Sequence, residues 1–177
     1  MQPSESRQKM IQLYFAGLAE NTFHTRLGVA DPLLIDYVTD LLVRFVRLDS
    51  VHRIRNIKGD PVVQIGELIS EAAERVGDAR REIHQHIGDF ALFWIGLFPE
   101  AIRKRTGEAA YQQYCSHGKR SYHIASEIET SNDRAVPKEL LQTLSDHFEL
   151  CAYGMREVRR EWENGEDDDR SLIYLFQ

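Results

Sequence analysis

Gly88-Asp-Phe-Ala-Leu-Phe-Trp-Ile-Gly-Leu-Phe-Pro-Glu100 decides the fold, because before its closing Glu100 it carries a single polar side chain, Asp89. A helix apolar on every face must be wrapped by other helices. Traced back to about Ala79, the run becomes a helix over about 79–97. Its first half, with Arg80, Arg81, Glu82, His84 and His86, reaches water, and its second half is core. The fold class that follows is all-α: a single-domain bundle of about seven helices around this central buried one.

Turn and cap residues supply the others. Ser4 or Ser6 can cap a first helix that runs to about Thr25 and is ended by Gly28. Asp31-Pro32, an N-cap followed by proline at the first helical position, opens a second through about Leu48. Asp60-Pro61 repeats the device. There Val62, Ile65, Ile69, Ala72 and Val76 recur at three- and four-residue steps, which predicts one buried stripe. Gly77-Asp78 ends that helix and caps the central one. Pro99 starts a short fifth helix that Gly107 ends, and Tyr111, Tyr114, Cys115, Gly118, Tyr122 and Ala125 mark one face of a sixth. After a polar loop from Thr130 to Arg134, Pro137 opens a long last helix with Leu140, Leu144, Phe148, Cys151, Met155 and Val158 facing inward, as far as about Trp162.

Residues 1–163 thus form the helical domain. Residues 164–177 comprise an acidic stretch that stays solvated and the apolar segment Ser171-Leu-Ile-Tyr-Leu-Phe-Gln177. Five apolar side chains are not left in water, so the segment is expected to dock on its own domain or on a second subunit.

Composition bounds the function. With 177 residues, 42% hydrophobic and 28% charged, the chain suits one soluble domain. No apolar run approaches the ~20 residues that span a bilayer. The opening MQPSESRQKMIQLYF lacks the pattern of a secretory signal, which places the protein in the cytoplasm, where Cys115 and Cys151 read as free core thiols. A net charge of -6 argues against nucleic acid, whose partners want a net basic surface. Arg44, Arg47, Arg55 and Lys58 fall on one stripe if the second helix continues past Ser50, with Arg53 nearby; the stripe reads as a solvated face that could hold phosphate or an acidic partner.

Seven histidines raise the question of a metal. Glu20 with His24, and His123 with Glu127, share helix faces at a spacing of four, but three or four convergent donors are needed. His84 and His86 point ~160° apart at ~100° per residue. No metal site and no cofactor is therefore expected. Asp89 is the sharper case, since a carboxylate within a buried run is costly unless paired. Structurally, it ties down an arginine, a tyrosine or a helix end; chemically, it is a base or the partner that orients a histidine. The first reading is preferred, because structural networks also bury charge. For Tyr111, Tyr114 and Tyr122, aromatic spacing on a helix likewise reads as core with satisfied hydroxyls.

Two resemblances bear on function. Arg81-x4-His86 resembles the Arg-x4–6-His signature of HEPN ribonucleases, with Glu82 where that family has a small polar residue; the resemblance implies paired motifs meeting across a dimer. The stretch from about Arg80 to Ala125 resembles a group of bacterial proteins in which Gly-Asp-x-x-Leu-Phe-x-x-Gly-Leu-Phe-Pro-Glu precedes Tyr-x3-Gly-x3-Tyr, here Tyr114, Gly118 and Tyr122. That resemblance implies a bacterial helical protein and carries no activity. The functional expectation is a helical binding or regulatory protein, a homo-oligomer or the partner of another protein, and not an enzyme. The competing class is an enzyme or small-ligand binder whose site gathers His84, Asp89, Tyr122 and His123 at the polar entrance of the central helix.

Overall fold

The computed structural model describes residues 3–46 and 64–165. Among them every regular element is helical: α1 (Pro3–Glu20), continued by a π-helical stretch Asn21–Arg26, then α2 (Pro32–Val46), α3 (Ile65–Ala73), α4 (Gly77–Leu97), α5 (Pro99–Glu127), α6 (Lys138–Asp146) and α7 (Phe148–Gly165). The expected single-domain helical bundle is what forms. At its centre α4 packs most extensively on α5, and also on α7, α3 and α2. Ile83, Ile87, Phe90, Ala91, Leu92, Phe93, Ile95 and Leu97 of α4 are all buried, so its second half is enclosed except at Trp94. No helix among the described residues is long and apolar enough to cross a membrane.

Local chemistry sets several boundaries. Asp31 Oδ1 accepts from the backbone N–H of Leu33 at 3.0 Å and Leu34 at 3.3 Å, which caps α2 and leaves Pro32 where its missing N–H costs nothing. The interruption expected at Gly107 is real: its φ of 83° and ψ of 174° kink α5 into a short and a long arm. A residue with a side chain adopts that φ only under strain.

The structure departs from the sequence reading at five places, the first being the early half of α4, where Arg81, His84 and His86 are buried and do not reach water. The last helix is two, broken at His147, whose φ of -110° and ψ of 26° turn the chain between α6 and α7. The inward face survives the break because Leu140, Leu144, Phe148, Cys151, Met155 and Val158 are all buried. Val76 is 82% exposed instead of lying on the buried stripe, since α3 ends at Ala73 and Val76 is the extended residue that precedes α4; Asp78 then sits in the first turn of α4, not at its cap. The end of α1 widens into a π-helix, with Leu27 N–H on Thr22 O and Val29 N–H on Phe23 O. Phe23 is thereby seated against Gly154 of α7, where a Cβ would overlap the ring. Trp94 is half-buried rather than enclosed: it sits beside the turn into α5, packed on Phe93 at 5.8 Å and Phe98 at 5.6 Å. The proposed start of the third helix at Asp60-Pro61, Arg47, Arg53, Arg55 and Lys58 of the basic stripe, and the apolar segment 171–177 lie outside the described residues, whereas from Ile65 that helix is present as α3 with Ile65 and Ala72 buried.

Phe90 is enclosed while Trp94 is partly wet, so the two should respond differently to truncation. Phe90→Ala is expected to cost about 3 to 5 kcal/mol, the range for a fully buried aromatic, and Trp94→Ala less. Denaturant melts measure both; a loss below about 1 kcal/mol for Phe90→Ala would place α4 outside the core.

Candidate functional site

Asp89 is 2% exposed, and three side chains from two other helices converge on it. Tyr37 of α2 donates its hydroxyl to Oδ1 at 2.5 Å, and Tyr122 of α5 donates to the same oxygen at 2.8 Å. Arg44 of α2 reaches Oδ2 at 3.3 Å. Gln85, one turn before Asp89 on α4, donates to the Tyr37 hydroxyl at 3.1 Å. The cluster is a closed polar knot joining α2, α4 and α5. Burial, then the Asp89 charge, push both phenols well above their usual range, so both stay protonated donors. For Arg44 burial works against the charge, but Asp89 together with Tyr37 and Tyr122 outweighs it and the guanidinium is held more firmly protonated. Arg44 is thus drawn onto a buried carboxylate and is not simply a member of a solvated basic stripe.

The placement of Tyr122 depends on its neighbours across the interface. A Cβ on Gly88 would come within 2.6 Å of the Tyr122 ring, so only glycine there lets the ring lie against the α4 backbone and aim its hydroxyl at the next residue, Asp89. Gly118, one turn earlier on α5, admits Phe148 and Ala91 in the same way. The Tyr114 ring meets Phe90 with centroids 6.4 Å apart.

Of the four residues proposed as one site, the structure joins only Asp89 and Tyr122. His84 is buried less than one and a half turns earlier on α4, its Nδ1 3.4 Å from Ser121 Oγ. Burial, reinforced by the charges of Arg80 and Arg120, lowers its pKa to about 4. His123 is exposed on the far side of α5, where its Nδ1 donates to Gln142 Oε1 of α6 at 3.2 Å. The same oxygen accepts from Ser126 at 3.1 Å, and Gln142 Nε2 donates to Asp146 at 2.9 Å, which fixes the amide and with it the imidazole. Because Tyr122 points inward, its neighbour His123, ~100° around the helix, points elsewhere. The sequence reading missed Tyr37, Arg44 and Gln85. An i, i+4 step joins Gln85 to Asp89, but no local signal connects Asp89 to α2.

The Arg81-x4-His86 pair is also internal: Arg81 is buried and donates to Val136 O at 2.6 Å, while His86 is buried beside Phe90. Neither presents itself for a motif shared across a dimer. Among the described residues no group of three or more His, Cys, Asp or Glu side chains could hold a metal ion. Glu20 and His24 do line one cleft of about 340 Å³ between α1 and α2, with Asp36 and Thr39. A second cleft of about 560 Å³ lies along α5 where α6 gives way to α7, lined by Ser116, Lys119, Arg120, His123, Ser145 and Glu149 among others. Compared with known proteins, the chain matches no family model, no curated protein and no solved structure.

Removing the Asp89 charge leaves two buried hydroxyls and a guanidinium short of their acceptor. Asp89→Asn is expected to destabilise by about 1 to 3 kcal/mol in chemical melts, with unchanged helix content. A variant that melts like the wild type, together with an Asp89→Leu protein more stable than it, would mean that the knot contributes nothing.

His84 gives a pH signature. Above its unfolded pKa of ~6.5 the imidazole is neutral in both states; between ~6.5 and about 4 the unfolded chain takes up a proton that the folded state refuses. Stability should therefore fall as pH falls through that window, and His84→Gln should remove this part of the slope. In Arg120→Gln one repelling charge is gone, so the His84 pKa should rise. An NMR titration in which it stays at its wild-type value would remove Arg120 from the cause.

Proposed function

We propose that the protein acts by association, and that its partner is a second copy of the same chain. The observation that carries this reading is the outer face of α1. Met10 is 56% and Leu13 64% exposed there, beside the half-buried Tyr14. Leu13 lies ~200° around the helix from the core residue Phe15, on the side turned away from the bundle. Two exposed apolar side chains about one turn apart, with a half-buried tyrosine alongside, are the pattern of a contact surface.

The chain also carries a complement to that face. Helices α1 and α7 run antiparallel, with Phe15 against Trp162 at 5.7 Å and Phe23 against Gly154. Gly165, three residues past Trp162, therefore comes level with about Gln12. From there an acidic spacer of residues 166–170 leads to Leu172, Ile173, Tyr174, Leu175 and Phe176. At up to ~3.5 Å per residue the spacer bridges more than a helix diameter. In this reading each copy's apolar segment covers the α1 face of the other. The internal use of Asp89 supports binding over catalysis, because a carboxylate occupied by three donors has little capacity left as a base. Cys115 and Cys151 are free and buried, with burial pushing the Cys151 thiol up to about 12, in keeping with a reducing cytoplasm. A bacterial origin rests on the Gly88–Glu100 run and its companion tyrosines.

Light scattering tests the association directly. The full chain is expected to have the mass of a dimer, and Leu13→Glu or deletion of residues 171–177 should return a monomer. A full chain that is already monomeric, or a truncated protein that keeps its mass, melting point and solubility, overturns the proposal.

A further inference from the structure

Among the described residues three Asp, Glu, Lys or Arg side chains are buried: Asp89, Glu157 and Arg81. Asp89 is matched by Arg44 at 3.3 Å and Glu157 by Arg160 at 2.9 Å. Arg81, only 4% exposed, has no carboxylate partner. Its Nη2 donates to the Val136 carbonyl at 2.6 Å, and its Nε is buried without an acceptor. Taking a guanidinium out of water is offset only by an opposite charge and a full set of hydrogen bonds, and one neutral carbonyl supplies neither. The buried charge lacks its counterpart.

The place that Arg81 reaches is itself short of an acceptor. Val136 adjoins Pro137, the N-cap of α6, and proline offers no side-chain oxygen to the helix end. The backbone N–H groups of Leu140 and Leu141 bond to Pro137 O, but those of Lys138 and Glu139 bond to no described group. Two orphan donors and the positive end of a helix dipole thus lie beside an unbalanced guanidinium. The carboxylates within three residues' reach do not correct this: Glu127, Glu129 and Glu139 line the adjoining cleft of about 420 Å³, and none pairs with Arg81. They restrict a ligand here to one without a second anionic group.

We propose that Arg81 and the N-terminus of α6 together bind a phosphate group, carried by a small ligand with no other negative charge. The oxygens of phosphate point in four directions, so it can accept from the backbone donors of α6 and from a side chain of α4 at once, where a planar carboxylate offers two. Bound there, it gives Arg81 the counter-charge that Arg44 gives Asp89.

The test is an NMR titration of the full chain with inorganic phosphate, against sodium chloride at equal ionic strength. Saturable shifts are expected at the Lys138 and Glu139 amides and at the Arg81 side chain. Arg81→Gln should weaken binding by about tenfold or more, and Lys138→Pro, which removes one backbone donor at a position that tolerates proline, by about fivefold. Lys138→Ala keeps that donor and should bind more tightly than Lys138→Pro. Melts give an independent reading: phosphate should raise the melting point of the wild type above its value in chloride and leave that of Arg81→Gln unmoved. Should Arg81→Gln fail to fold, the amide shifts and the two Lys138 variants decide. Shifts no larger than those from chloride, wild-type affinity in Arg81→Gln, or equal affinities in the two Lys138 variants overturn the site. Acetate that binds more tightly than phosphate overturns the choice of phosphate, and an oligonucleotide that does so overturns the small ligand. Light scattering on the same samples reads dimerisation separately.

Discussion

A carboxylate enclosed by apolar side chains has to be paired, and the arrangement of α2, α4 and α5 follows from how Asp89 is paired. Leaving it bare would cost several kcal/mol. The solution is mixed: two neutral hydroxyls on one oxygen and a partly exposed guanidinium on the other. Neutral donors satisfy the lone pairs without a second buried ion, and Arg44 keeps part of its hydration. The cost is geometric. Three helices must hold a common register to within the length of a hydrogen bond, so the knot selects one packing from many that would bury similar apolar area.

Close approach of backbones makes that register achievable. Gly88 receives the Tyr122 ring and Gly118 receives Phe148 and Ala91, so the α4–α5 interface interlocks in both directions. This gives the Gly-Asp and Tyr-x3-Gly-x3-Tyr patterns a physical meaning. Gly88 and Asp89 hold the ring and hydroxyl of Tyr122, Gly118 holds Ala91, and Tyr114 lies against Phe90. The two runs face one another across one interface from Gly88 to Phe90, while Gly96 packs instead on Met155 of α7.

How much of this the sequence made legible depended on the range of the interaction. Asp31-Pro32, the break at Gly107 and the all-apolar second half of α4 were readable because caps, φ preferences and helical period act within a few residues. That Asp89 needed donors was also readable, since the need arises from its own surroundings. Which donors was not: Tyr37 and Arg44 lie 52 and 45 residues away, and nothing local to either distinguishes it from an ordinary helix residue. His123 shows the opposite error. Nearness in sequence to Tyr122 suggested a shared site, but one step along a helix turns the side chain by ~100° and into a different environment. The break at His147 escaped because the inward apolar pattern continues across it, and Trp94 because the count of apolar neighbours says nothing of where a corner leaves a ring half covered.

The same one-residue step separates the two tasks that α5 can perform. Its inner face, with Gly118, Tyr122 and Ala125, is committed to α4 so tightly that even a methyl group at Gly118 would collide. Groups on that side are poor candidates for chemistry: the Tyr122 phenol is held protonated and Asp89 has its oxygens engaged. The outer face carries Ser116, Arg120 and His123 on a helix that cannot shift without breaking the interface beneath. Rigid support with polar groups directed into a cleft is what binding requires, since the entropy of ordering the site has already been spent in folding. The buried knot therefore fixes the helix whose opposite side borders that cleft.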